Sequence, residues 1–272
     1  MRLSPAGQRF YQETQKADGR INLAAAALYI AQEDYWDMAP DQYLETLDEM
    51  AAEVRSRLPK GRYPLKIIQV INHYLFEELK FSGNSQNYYD PENSYLNCVL
   101  DRRLGIPITL SLVYLEIAAR VQFPMVGVGM PGHFLIRPVV DEMAVFVDPF
   151  HQGEVMFLAD CREKFYRQYG TGAEWQDEFL SAVPPKAFLA RMLMNLKMAY
   201  LNIEAFESAV ATLDKLLILM PGQPQQMRDR GLLHYELKNY EPAQRDLRDY
   251  LRSHPSAPDQ QTIQKILDRI GL

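Results

Sequence analysis

A chain of 272 residues suffices for one large domain or two smaller ones, each with its own core. Its 47% hydrophobic and 24% charged content is that of an ordinary globular protein, and a net charge of −6 argues against nucleic-acid binding, which draws affinity from phosphate neutralisation. The opening residues lack the apolar stretch of a signal peptide, and the longest apolar run nearby, Leu23 to Ala31, is too short to span a bilayer; no membrane partner and a cytoplasmic location are expected.

The first 80 residues read as helices. The segment "INLAAAALYIAQEDY" is apolar on most faces, as a buried helix is. In "APDQYLETLDEMAAEVRSRL", Pro40 marks a start and Leu44, Leu47, Met50 and Val54 fall at helical spacing. "PLKIIQVINHYLFEEL" repeats the pattern with Ile67, Val70, Ile71 and Leu75, and places His73 in the core or at its boundary. A polar loop rich in Gly, Ser, Asn and Asp follows, "KFSGNSQNYYDPENSYLN". "SYLNCVLDRRLG" predicts a short helix ending at Gly105, and "TLSLVYLEIAARV" a strongly apolar helix with Thr109 as N-cap. Four short apolar runs, "MVGVG", "HFLIRP", "AVFVDPF" and "EVMFL", predict a small antiparallel sheet with one face buried.

From about residue 184 the pattern is helical again and repeats. Pro221 and Pro255, Ala209 and Ala243, Phe206 and Tyr240, and Leu213 and Leu247 are each 34 apart, which resembles the tetratricopeptide repeat. Small alanines let paired helices approach, and the prolines end each second helix. Two repeats are few, so "PDQQTIQKILDRI" is expected to cap one end and the preceding domain to cover the other.

The motifs "RRLGIPITLS" and "PGHFLIRP…VDPF" resemble the SirB1 family of transglutaminase-like proteins, which join such a core to tetratricopeptide repeats. The resemblance implies a helix-rich α+β fold. Residues 1–183 would hold N-terminal helices and a papain-like core with a small antiparallel sheet, and residues 184–272 the helical repeat tail. It further implies a cysteine at the start of the core helix, paired with a histidine and an aspartate on neighbouring strands, and assigns the last two roles to His133 and Asp148. A thiolate at a helix N-terminus is favoured by the dipole and by an adjacent imidazolium, while the aspartate fixes the imidazole's tautomer. Yet "PITLS" holds no cysteine. Thr109 and Ser111 are hydroxyl candidates and poorer nucleophiles, and Cys98 lies upstream in another element. Cys161 falls beyond the last strand.

Structural readings stand beside these. The His133–Asp148 pair also suits a braced turn. His151 is close enough in sequence to join a metal site, but no third ligand has convincing spacing, so neither metal nor cofactor is expected. Arg102 and Arg103 either pair with acids such as Asp90 and Asp101 or line a cleft for an anion. Asn93 and Asn97 either brace the polar loop or donate to a ligand, and Tyr88 and Tyr89 either anchor that loop or cover the cleft. Two function classes result. One is a catalytically silent core that binds a protein or peptide through the repeat groove, with Asn195, Lys197 and Arg228 on the inner face. The other is an amide-bond hydrolase or acyltransferase with a non-standard nucleophile.

Overall fold

The computed structural model describes residues 3–140 and 144–271, and the chain divides into two compact units, Met1–Leu189 and Ala190–Leu272. The first begins with helices whose starts are set locally. α1 (Pro5–Thr14) is capped by Ser4, whose hydroxyl accepts from the Gly7 amide, and α2 (Leu23–Ala31) by Asn22, whose side chain accepts from Ala25. α3 (Pro40–Arg57) and α4 (Pro64–Asn72) each start on a proline, which loses nothing there because its missing N–H would be unpaired in any case. Most of the predicted apolar stripes is buried: most of α2, then Leu47, Met50 and Val54 of α3, and Ile67 and Ile71 of α4, while Leu44 and Val70 are half-buried. A wider turn over His73–Glu78 continues α4. His73 is on the surface between Glu77 and Glu78, neither core nor boundary.

The polar loop is pinned at both ends. β1 (Ser82–Gly83) pairs in parallel with β2 (Leu104–Gly105), and α5 (Leu96–Arg102) lies between them in sequence. α5 stops at Arg103, which takes up a left-handed conformation (φ 58°), so Gly105 belongs to a strand and is not the helix terminator expected from sequence. α6 (Pro107–Arg120) is buried on nearly every face, as its composition requires, and packs against α3, α5 and the sheet. Its N-cap is Ile106. Thr109 sits one turn in, where its hydroxyl accepts from the Ile106 amide at 3.1 Å; the expected N-cap is corrected by three positions.

β3 (Met125–Val128), β4 (Leu135–Pro138), β5 (Val145–Asp148) and β6 (Glu154–Phe157) form an antiparallel sheet in sequential order. All of β5 and most of β4 are buried, so the central strands are covered on both faces, where the sequence predicted one. α6 packs on β3 and β4, and a second cluster joins Val128, Met130, Leu135, Phe146 and Met156 to Cys161 of α7 (Leu158–Tyr169), with Trp175 and Leu180 against it.

α8 (Pro185–Asn202) leads into the second unit, which continues with α9 (Phe206–Leu219), α10 (Pro224–Glu236), α11 (Tyr240–Ser253) and α12 (Gln260–Ile270). The paired alanines Ala209 and Ala243 are fully buried, and Gly231 packs so closely on Leu247 that an added Cβ would come within 2.8 Å of it. α9 ends at Leu219 and α11 at Ser253, each just ahead of its repeat proline. Leu247, Tyr250, Ile263 and Leu267 join α12 to α11 as a cap. Among the described residues no helix is long and apolar enough to cross a membrane.

Candidate active site at the end of the sheet

Asp148 closes β5 and is wholly buried. His133 precedes β4, in a turn rather than on the strand predicted for it: Pro131 and a left-handed Gly132 (φ 70°) form the corner, and the His133 amide donates to the Met130 carbonyl. Gly132 has a second constraint, because a Cβ there would lie 2.2 Å from the Gln168 side chain. The corner brings His133 Nε2 to 2.6 Å from Asp148 Oδ2, and the expected histidine–aspartate pair is present.

The turn after Asp148 is held from several sides. Asp148 Oδ1 accepts the amides of Phe150 and His151, and the Gly153 amide donates to the Asp148 carbonyl. Asn72 of α4 donates to the Gly153 carbonyl at 2.7 Å. Two more side chains reach Oδ2: His151 through Nδ1 at 2.8 Å and Lys164 of α7 through Nζ at 2.6 Å. Burial opposes charge on Asp148, but the hydrogen bonds and charges of His133 and Lys164 outweigh it and hold the carboxyl well below the usual carboxylate range. The group is an anion throughout the neutral range. Phe150 meets the His133 ring edge-on, and Tyr88 meets Phe150 in turn, so the loop tyrosine belongs to the aromatic cover of the site.

Lys164 was not singled out from sequence. It follows Cys161 by three and precedes Phe165, both buried, so helical spacing does put it at the edge of the core-facing stripe of α7. Its partner could not be read that way, because Asp148 is sixteen residues earlier on another element.

None of the nucleophile candidates is an exposed, activated group. Thr109 is fully buried, and its hydroxyl donates to the Asn93 carbonyl at 2.7 Å while accepting from Ile106. Ser111 is fully buried, with no hydrogen-bond partner for Oγ among the described residues. Cys98 is buried in α5, where burial pushes its thiol up against a smaller lowering by a Tyr35 hydrogen bond; its charged neighbours are Glu92, Arg102 and Asp101. Cys161 is pushed up to about 12, first by burial and then by Asp160. A thiol in such surroundings is predominantly protonated at neutral pH.

Most of the other predicted site residues are engaged structurally. Asn93 braces the loop: Nδ2 donates to the carbonyls of Asn87 and Tyr88, and Oδ1 accepts from Asn84. Asn97 is buried, and its Oδ1 has no partner among the described residues. Arg102 bonds Asp90 and Glu92, and Arg103 donates to the Leu79 carbonyl. Asp101 instead accepts from Tyr43. Tyr89 is exposed and packs on Tyr88. In the second unit, Lys197 is 7% exposed and joins α8 to α10 through Gln226 and Asp229. Arg228 bonds Asp229 and Asp259 and lies over the Tyr250 ring. These two cations are tied up internally; Asn195 is half-buried.

An antiparallel sheet packed on a buried helix, with a histidine–aspartate pair at one end and a helical repeat tail after it, defines a transglutaminase-type core joined to tetratricopeptide repeats. Residues 41–194 match the family model of the transglutaminase-like superfamily, and residues 196–268 that of the tetratricopeptide repeat. A UPF0162 protein of Xylella fastidiosa is 38% identical over 88% of this chain and 86% of its own, and one of Vibrio cholerae is 27% identical over 76% and 75%. F-box only protein 21 of Homo sapiens is 31% identical over 63% of this chain, a match filling 28% of that protein. The chain belongs to the transglutaminase-like superfamily and, within it, to the UPF0162, SirB-like proteins. No solved structure matches it.

Proposed function

We propose that the protein works by binding a protein or peptide partner through its repeat region, on a transglutaminase-like core that performs no chemistry of its own. The carrying observation is the start of α6, where Pro107 to Ser111 supply no thiol and Thr109 is consumed in holding Ile106 to Asn93. Losing a triad nucleophile costs about a million-fold in turnover. The match to F-box only protein 21 supports reading the core as a module that accompanies other domains.

The partner surface is not the one expected from Lys197 and Arg228, since both are spent on internal ion pairs. On α8, Met194 and Met198 are one turn apart on a common face and 38% and 49% exposed, with the half-buried Asn195 beside that face. Thioethers adapt to varied apolar partners, and one amide beside them can bond a peptide backbone. The test compares partner capture by the wild type, Asn195→Ala/Met198→Glu and His133→Ala. The repeat variant should lose the partner and the His133 variant keep it. A His133→Ala protein that is folded and partner-bound yet functionless would sink the binding-only reading.

A second reading, hydrolysis of an amide bond or acyl transfer, is favoured by the intact His133–Asp148 pair. It requires a nucleophile from Thr109, Ser111 or Cys98, and all three are buried.

A further inference from the structure

Three donors crowd one atom of the site. His133 Nε2, His151 Nδ1 and Lys164 Nζ lie 2.6, 2.8 and 2.6 Å from Asp148 Oδ2. A carboxylate oxygen has two lone pairs, so it cannot serve three hydrogen bonds well. The other oxygen is occupied by two backbone amides, which prevent the carboxylate from turning to share the load. Two imidazoles and a carboxylate, with ligand atoms all within 4.8 Å of one another, also constitute a set of metal ligands. We propose that His133 Nε2, His151 Nδ1 and Asp148 Oδ2 bind one divalent cation of the zinc class, with Lys164 as the ammonium that the cation displaces.

Geometry, chemistry and access agree. Tetrahedral zinc with bonds of about 2.0–2.1 Å holds its ligand atoms about 3.3 Å apart. The two nitrogens are already 2.6 and 2.8 Å from the oxygen, so each needs to retreat by less than an ångström. The imidazole rings have centroids 5.5 Å apart and are tilted by 36°, near enough for both to face one ion. The amides on Oδ1 provide the orienting outer contacts that metal-bound carboxylates have. His151 is about half exposed, which gives an entry path and leaves the fourth position to solvent. Lys164 has somewhere to go: Glu154 Oε2 is already 3.4 Å from its Nζ. Sequence spacing hid this set because the third ligand is His133, fifteen residues before Asp148 across the strand pair. The inference does not depend on the partner-binding reading.

The test uses full-length protein stripped with chelator and titrated with Co²⁺ by visible absorption and Zn²⁺ by calorimetry. One equivalent should bind. His151→Ala, at a position exposed enough to spare the fold, should weaken binding by at least about 100-fold, since losing outer contacts alone costs about 10- to 100-fold. Lys164→Met should bind the metal several-fold tighter by removing the competitor. No binding by the wild type, wild-type affinity in His151→Ala, or weaker binding in Lys164→Met would each overturn the proposal.

Discussion

Asp148→Asn is the most informative single substitution, because it keeps shape and removes charge from the atom on which the site converges. The amide oxygen can still take the Phe150 and His151 amides. Its NH₂ would then meet the Lys164 ammonium at 2.6 Å, donor against donor, and would force His133 and His151 to present bare ring nitrogens at 2.6 and 2.8 Å. Breaking a buried ion pair by removing one partner costs about 3–5 kcal/mol. Lys164 is about a quarter exposed and can turn to Glu154, which places the expected loss near the lower end, at about 3 kcal/mol. For a unit of this size that corresponds to a fall in Tm of about 6–12 °C. The only two tryptophans, Trp36 and Trp175, both lie in the first unit, so urea unfolding followed by tryptophan fluorescence reports on it selectively. The measurement is made in chelator, so that metal plays no part. A loss under about 1 kcal/mol with an unchanged m-value would show that the donors around Asp148 are solvated alternatives, and would refute the reasoning.

Cys98 should react with thiol probes more slowly than an exposed cysteine, at a rate His133→Ala leaves unchanged, because its thiol is raised by burial and flanked by Tyr35, Glu92 and Arg102; a rate that collapses in His133→Ala would revive thiol catalysis. Ser111→Ala removes a buried hydroxyl with no partner among the described residues and should be neutral or stabilising by up to about 1 kcal/mol in urea unfolding. Arg230, bonded to Asp214 and in a fork to Asp246, should cost about 3 kcal/mol or more when changed to Met, since two largely buried carboxylates lose their counter-ion; circular dichroism melting of the full chain reads this as an earlier helical transition. Burial lowers the pKa of His234, so the unfolded chain binds its proton first as pH falls, and stability contributed above about pH 6.5 is lost below it; His234→Gln should flatten that part of a stability–pH profile.

Periodicity and local chemistry determined most of the architecture. The stripe of Leu47, Met50 and Val54, the apolar density of α6 and the 34-residue spacing of Ala209 and Ala243 are consequences of helical geometry, legible wherever a face must be buried. The motif around His133 and Asp148 likewise announced a pair that the structure brings to 2.6 Å. Boundaries were less legible. Arg103 rather than Gly105 ends α5, because pairing of β2 with β1 claims Gly105, and that pairing joins segments separated by the whole polar loop. Side-chain roles were hidden for the same reason. Lys197 and Arg228 look like free cations in sequence; the packing of α8 on α10 sets Asp229 beside Lys197, and the approach of α12 adds Asp259 to the Asp229 that already neighbours Arg228. Thr109 looks like a cap or a nucleophile until the Asn93 carbonyl arrives to accept its hydrogen bond. The arrival of Lys164 on the carboxylate oxygen that His133 and His151 also reach was decided by tertiary structure alone, since α7 carries it there and no spacing along the chain encodes its distance from Asp148.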